Sequence, residues 1–180
     1  MRYYKSFSYF CRDKLSVTMN TLTHTCHYAL CSYDELSEQD RQLIDAAKQA
    51  TECSYAPYSH FQVGAAVQLA DGTIVTGTNQ ENAAYPSGLC AERTALFYAG
   101  SAHPDKAVEA LAIAAYTDGH FTETPIAPCG ACRQVMLETE QRQGCSMRIL
   151  LYGTETICVI EDGVGALLPF AFDASWHHEK

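Results

Sequence analysis

Gln62-Val63-Gly64-Ala65-Ala66-Val67-Gln68-Leu69, then Asp71-Gly72, then Thr73-Ile74-Val75-Thr76-Gly77-Thr78 reads as a β-hairpin. Both flanks are rich in small and β-branched residues, and Asp-Gly is a dipeptide that tight hairpin turns favour. Upstream, Ser37 and Asp40 resemble a capping box, and Leu43, Ile44, Ala47 and Ala50 follow at helical spacing. That helix must stop before Pro57. Downstream, Pro86-Ser87-Gly88 breaks the chain before a helical run from about residue 90 to 99. Residues 110–116 are apolar and free of charge, as a buried strand requires. A second break at Pro125 and Pro128 leads into a helix over about 129–140, and strands are expected at 147–152 and 156–160. The order helix, two strands, helix, strand, helix, strand, strand predicts an α/β fold. It is a single mixed β-sheet of about five strands flanked by helices on both faces, a three-layer sandwich.

Around this block, residues 1–36 are rich in Ser, Thr, Tyr and Cys, contain no Gly or Pro, and hold no period of two or 3.6. They read as a poorly defined N-terminal extension. Residues 37–175 form one domain and 176–180 a solvated tail. The chain of 180 residues is long enough to bury a core without disulfide staples. A formal net charge of -9 is a poor footprint for gripping phosphate backbones, so nucleic-acid binding is disfavoured. No apolar run approaches the ~20 residues of a membrane helix, and the N-terminus lacks the pattern of a secretory signal. A cytoplasmic protein is expected, and the nine cysteines then raise the question of which bind metal or react.

Two short stretches carry chemistry. Pro128-Cys129-Gly130-Ala131-Cys132-Arg133 places a C-x-x-C at a helix start, where positions i and i+3 share a face. By itself this fits a zinc site, a thioredoxin-like redox pair or coincidence. Cys90-Ala91-Glu92-Arg93 offers a third thiol and a carboxylate at another helix entry. On a regular helix, residues two apart point to different sides. The pair works together only if Cys90 caps the helix while Glu92 projects from its first turn. Three protein ligands with an open position is the catalytic arrangement of zinc. Arg93 and Arg133 each follow a candidate ligand and are expected to donate hydrogen bonds to the sulfurs.

Together, Cys90-Ala91-Glu92 and Pro128-Cys129-Gly130-Ala131-Cys132 resemble the zinc signature of the cytidine deaminase family, in its short, homotetrameric, three-cysteine branch. Tyr58 to Ala66, Asn79 to Pro86, and Leu167-Leu168-Pro169 with Phe172 extend the likeness over about residues 40–172. The resemblance implies one Zn²⁺ per subunit held by Cys90, Cys129 and Cys132, with Glu92 as the catalytic proton shuttle. It implies a nucleoside substrate bound by Phe61, Asn79, Glu81, Ala83, Tyr85, Ala91, Ala127 and Phe172, the sites being completed by neighbouring subunits of a homotetramer. The implied activity is hydrolytic deamination of cytidine and 2′-deoxycytidine to the uridines and ammonia, in pyrimidine salvage. Two alternatives stay open at this point: another cytosine nucleoside such as blasticidin S as substrate, or a structural zinc module without catalysis. His24, Cys26, His27 and Cys31 are metal-ligand residue types, but without periodic structure around them they carry no metal expectation. Cys53 and Cys158 read as small core residues.

Overall fold

The computed structural model describes residues 23–173; the expected tail at 176–180 and residues 1–22 of the extension lie outside them. The helix expected upstream of the hairpin is α1 (Glu38–Ala50), and the Ser37 hydroxyl caps it by accepting from the Asp40 amide at 3.1 Å. The hairpin is β2 (Gln62–Leu69) and β3 (Ile74–Thr78), with Gly72 at φ +82° in the turn, a conformation that glycine adopts without strain. Then follow α2 (Ala91–Ala102), β4 (Val108–Thr117), β5 (His120–Phe121), α3 (Gly130–Gln143), β6 (Arg148–Leu151) and β7 (Ile157–Ile160).

One sheet holds the strands in the order β1-β7-β6-β4-β2-β3, where β1 is Ala29–Cys31 and β5 pairs with β4 off this path. Among the described residues, seven strands replace the five expected. The additions, β1 and β5, span three and two residues, too few for alternation to register. The β4–β6 pair is parallel and every other pairing antiparallel. A parallel neighbour needs a crossover, and α3 supplies it.

Alternation along the central strands sorts the core into two layers. Ala65, Val67, Leu69, Leu111, Ile113, Ile149 and Leu151 face α2 and α3. Ala66, Ala110, Ala112, Ala114 and Leu150 face α1, with Leu43, Ile44 and Ala47 against them. Both faces are therefore dry, which explains why these strands read as apolar runs. Helix α2 lies close on β3, because a Cβ at Gly77 would sit 2.7 Å from the Ala91 carbonyl oxygen. Cys158 packs against the core as expected, but Cys53 is exposed in a 3-10 turn after α1. Among the described residues no helix is long and apolar enough to cross a membrane.

Candidate active site and metal centre

Helices α2 and α3 start in the same way. Cys90 (φ −75°, ψ 155°) and Cys129 (φ −67°, ψ 166°) are extended N-cap residues, each following a proline-containing break. An extended cap turns its side chain away from the helical register, so Cys90 and Glu92 are not bound by the helical rule for positions two apart. Cys132 lies in the first turn of α3, on the face it shares with the cap. The three sulfurs meet: Cys90 Sγ to Cys129 Sγ is 3.9 Å, Cys129 Sγ to Cys132 Sγ is 3.4 Å, and all lie within 4.8 Å of one another.

Tetrahedral zinc with Zn–S near 2.3 Å separates its sulfurs by about 3.8 Å. The spacing and the soft donor set therefore fit Zn²⁺. The helix N-termini favour negative charge at the caps. Hydrogen bonding from Cys132, with Arg93 and Cys129 contributing, brings the Cys90 thiol down to about 5. Arg93 Nη2 donates to Cys90 Sγ at 3.5 Å, and its Nε is buried without a partner among the described residues.

Glu92 is 5% exposed, on the inner side of the first turn of α2. Burial raises its pKa above the ordinary glutamate value, and the charge of Cys90 adds to that. Cys132 is buried, whereas Cys129 is exposed.

Arg133 differs from expectation. Its guanidinium reaches no sulfur: Nε donates to Pro128 O at 2.8 Å and Nη1 to Leu167 O at 2.9 Å. From its place on α3, one position past Cys132, it points back along the incoming chain and grips backbone instead.

A cavity of about 300 Å³ opens beside the sulfurs, bounded by Asn79, Glu81, Tyr85, Leu89, Cys90 and Arg93. Its outer loop is fixed by backbone pairing. Gln80 and Leu89 exchange hydrogen bonds at 2.8 and 2.9 Å, and the Tyr55 carbonyl accepts from the Glu81 amide at 2.8 Å. The Asn79 carboxamide is largely spent on the protein. Its Oδ1 accepts from the Ser54 hydroxyl and from the Val63 amide (2.8 Å), and its Nδ2 donates to Phe61 O (2.8 Å). One Nδ2 hydrogen is left over.

Glu81 Oε2 accepts from the amides of Tyr58 (2.8 Å) and Ser59 (3.3 Å). Hydrogen bonds from Ser59 and Tyr58 hold its pKa below the usual value, so a full negative charge stands at the cavity wall. Tyr85 packs edge-on against Tyr58, ring centroids 6.2 Å apart.

The other expected site residues fall outside this lining. Phe61 is half-buried, Ala91 is buried at the start of α2, and Ala127 and Ala83 are exposed. The Phe172 ring is exposed while its carbonyl accepts from Gln134 Nε2 at 2.7 Å. Ser54, Ser59 and Gln134 support the site, and nothing in their local sequence announces it. The partners of Ser54 and Gln134 lie 25 and 38 residues away.

Three thiols converging at twin helix caps, with a buried carboxyl in the adjoining turn, define the class of catalytic rather than closed structural zinc sites. Residues 37–149 match the family model described as "Cytidine and deoxycytidylate deaminase zinc-binding region". The cytidine deaminase of Halalkalibacterium halodurans is 46% identical over 137 residues, covering 75% of this chain and 96% of that protein. That of Sporosarcina psychrophila is 46% identical over 132 residues, 73% of this chain and 89% of that one. The crystal structure of cytidine deaminase from Burkholderia pseudomallei superposes with a TM-score of 0.63 at 43% identity, covering 76% of this chain and all of that one. The chain belongs to the zinc-dependent cytidine and deoxycytidylate deaminase family.

Proposed function

We propose that the chain hydrolyses cytidine and 2′-deoxycytidine to uridine and 2′-deoxyuridine with release of ammonia. The observation that carries this is the buried Glu92 in the turn that follows Cys90, where the three sulfurs meet. Zinc held by Cys90, Cys129 and Cys132 supplies a Lewis acid that makes water nucleophilic near neutral pH.

Glu92 does the proton work. Its carboxylate takes a proton from the attacking water and places it on N3 of cytosine, which makes C4 electrophilic. A second transfer takes the remaining water proton to the departing amino group, so cytidine plus water gives uridine plus ammonia. A raised pKa suits a group that must both accept and give a proton. Arg93, donating to Cys90 Sγ, draws charge from a ligand set that would otherwise weaken the metal as an acid.

Asn79 and Glu81 take the ribose 3′-hydroxyl, using the spare Nδ2 hydrogen and the Oε1 that no amide occupies. A charged Glu81 at the wall disfavours phosphorylated substrates. Phe61 packs on the pyrimidine, while the backbone at Ala91 and Ala127 meets the base edge. The exposed Ala83, Tyr85 and Phe172 complete a neighbour's pocket in a homotetramer. Thiol ligands suit a reducing cytoplasm, and the reaction belongs to pyrimidine salvage.

The test is ultraviolet absorbance of cytidine and deoxycytidine incubated with zinc-loaded protein, with stoichiometric ammonia measured in parallel. No turnover of either nucleoside would overturn the proposal.

A further inference from the structure

The C-terminal arm, from the Asp162-Gly163 turn to Phe172, is held along its length by side chains from elsewhere. Glu140 Oε1 accepts from the Val164 amide at 3.1 Å, Arg133 holds Leu167 O, and Gln134 holds Phe172 O. Two further tethers come from residues upstream of the family match. His27 Nδ1 lies 3.2 Å from Asp162 Oδ2, and His24 Nε2 lies 3.1 Å from Ala166 O. Between these histidines and the domain, β1 adds to the open edge of β7 in the register Ala29 to Val159 and Cys31 to Ile157. Leu30 and Tyr28 are each 61% exposed, and only Cys31 of this segment packs against the apolar layer, half-buried, so polar tethers and strand pairing carry much of the hold on it.

We propose that His24 and His27 are positioning residues that strap the C-terminal arm, keeping Leu167 and Phe172 in reach of Arg133 and Gln134 behind the metal loop. Arg133 is the shared element. One guanidinium spans Leu167 O and Pro128 O, so an arm that drifts loosens the carbonyl immediately ahead of Cys129. The Ala127 backbone, next in line, meets the base edge in the reading given above, on which the catalytic half of this proposal rests. The strap acts on ground-state contacts and leaves the proton chemistry of Glu92 alone. Its loss therefore raises KM and spares kcat.

The experiment compares zinc-loaded full-length wild type with the double variant His24→Ala/His27→Ala. Amide hydrogen exchange is followed at Leu168, which donates to Gly165 O at 3.4 Å, and at Val164, held independently by Glu140. One exposed hydrogen bond shifts an equilibrium by about two- to tenfold. The expected result is exchange at Leu168 faster by about that factor or more, with Val164 unchanged. The KM for cytidine rises about three- to tenfold, and kcat stays within about twofold. His24→Gln with His27→Asn, which restores a donor at each place, recovers both values.

Unchanged exchange at Leu168 overturns the strap. Equal acceleration at Val164 overturns it in favour of general destabilisation, as does failure of the Gln/Asn rescue. Faster exchange with unaltered KM breaks the link to the site. A wild type that turns over no cytidine fails the activity reading, while the exchange arm still decides whether the strap exists.

Discussion

Cys90 and Glu92 are two positions apart, yet one belongs to a sulfur cluster and the other is a buried carboxyl. The reconciliation lies in the ψ of 155° at Cys90, which keeps that residue out of the helix that begins at Ala91. Glu92→Gln preserves size and helix start but cannot shuttle a proton. It should lower kcat on cytidine by about 10²-fold or more while zinc content, read by atomic absorption, stays at the wild-type level. Loss of zinc in step with activity would mean that Glu92 serves the metal and not the substrate.

A second buried carboxyl, Glu140, does a different job. Its Oε1 joins the Met147 amide (2.9 Å) to that of Val164, so the end of α3, the start of β6 and the arm meet at one oxygen. Burial raises its pKa above the ordinary value. For a raised carboxyl, stability is full below the unfolded pKa and is lost as pH rises through the folded one. Glu140→Gln keeps the acceptor and removes that ionisation. Thermal melts of both proteins from pH 4 to 8 should show the variant gaining on the wild type with rising pH. A constant difference would exclude Glu140 as the titrating group.

At the scale of elements, packing of α2 on β3 sets the reach of the site. Gly77→Ala would drive a Cβ into the α2 backbone at Ala91 and Ala95, displacing the helix that carries Cys90, Glu92 and Arg93. Such overpacking costs about 1–3 kcal/mol, or a fall in Tm of roughly 2–4 °C per kcal/mol for a domain of this size, and kcat/KM should drop with it. Gly72→Ala is the contrast: at φ +82° an alanine is strained where glycine is not, but its Cβ would meet open space, with nothing among the described residues within 4 Å. It should lose about 1–2 kcal/mol with turnover unchanged.

Both glycines stand in the hairpin that was legible from Asp71-Gly72, and the long elements were legible for the same reason: period and caps are local. The helix-start positions of Cys90, Cys129 and Cys132 were legible too, but spacing left the C-x-x-C open between metal and redox chemistry, and only the family resemblance joined the three sulfurs that the structure brings together. What escaped was long-range. β1 and β5 are too short to alternate, Arg133 finds its acceptor 34 residues away, and Asn79 turns inward to Ser54, Phe61 and Val63. No window of sequence holds both ends of such contacts.

For the whole molecule, the three sulfurs join two helices that share one face of the sheet, while α1 and its apolar layer sit on the other. Zinc bound at these sulfurs would therefore cross-link the N-terminal ends of α2 and α3, while the layer beneath α1 packs away from it. Structural zinc sites contribute many kcal/mol of apparent binding energy, on the order of 10 in small peptides, but a domain with its own core keeps only the part not repaid by relaxation of the empty site. Stripping the ion with a chelator should abolish turnover and lower Tm by about 5 °C or more. Far-ultraviolet circular dichroism at 25 °C should hold at the value of the loaded protein, and one equivalent of zinc should restore both activity and Tm. If removal instead unfolds the chain, the sheet and α1 do not form a self-sufficient layer. If it leaves activity intact, the three-sulfur centre is not where cytidine reacts.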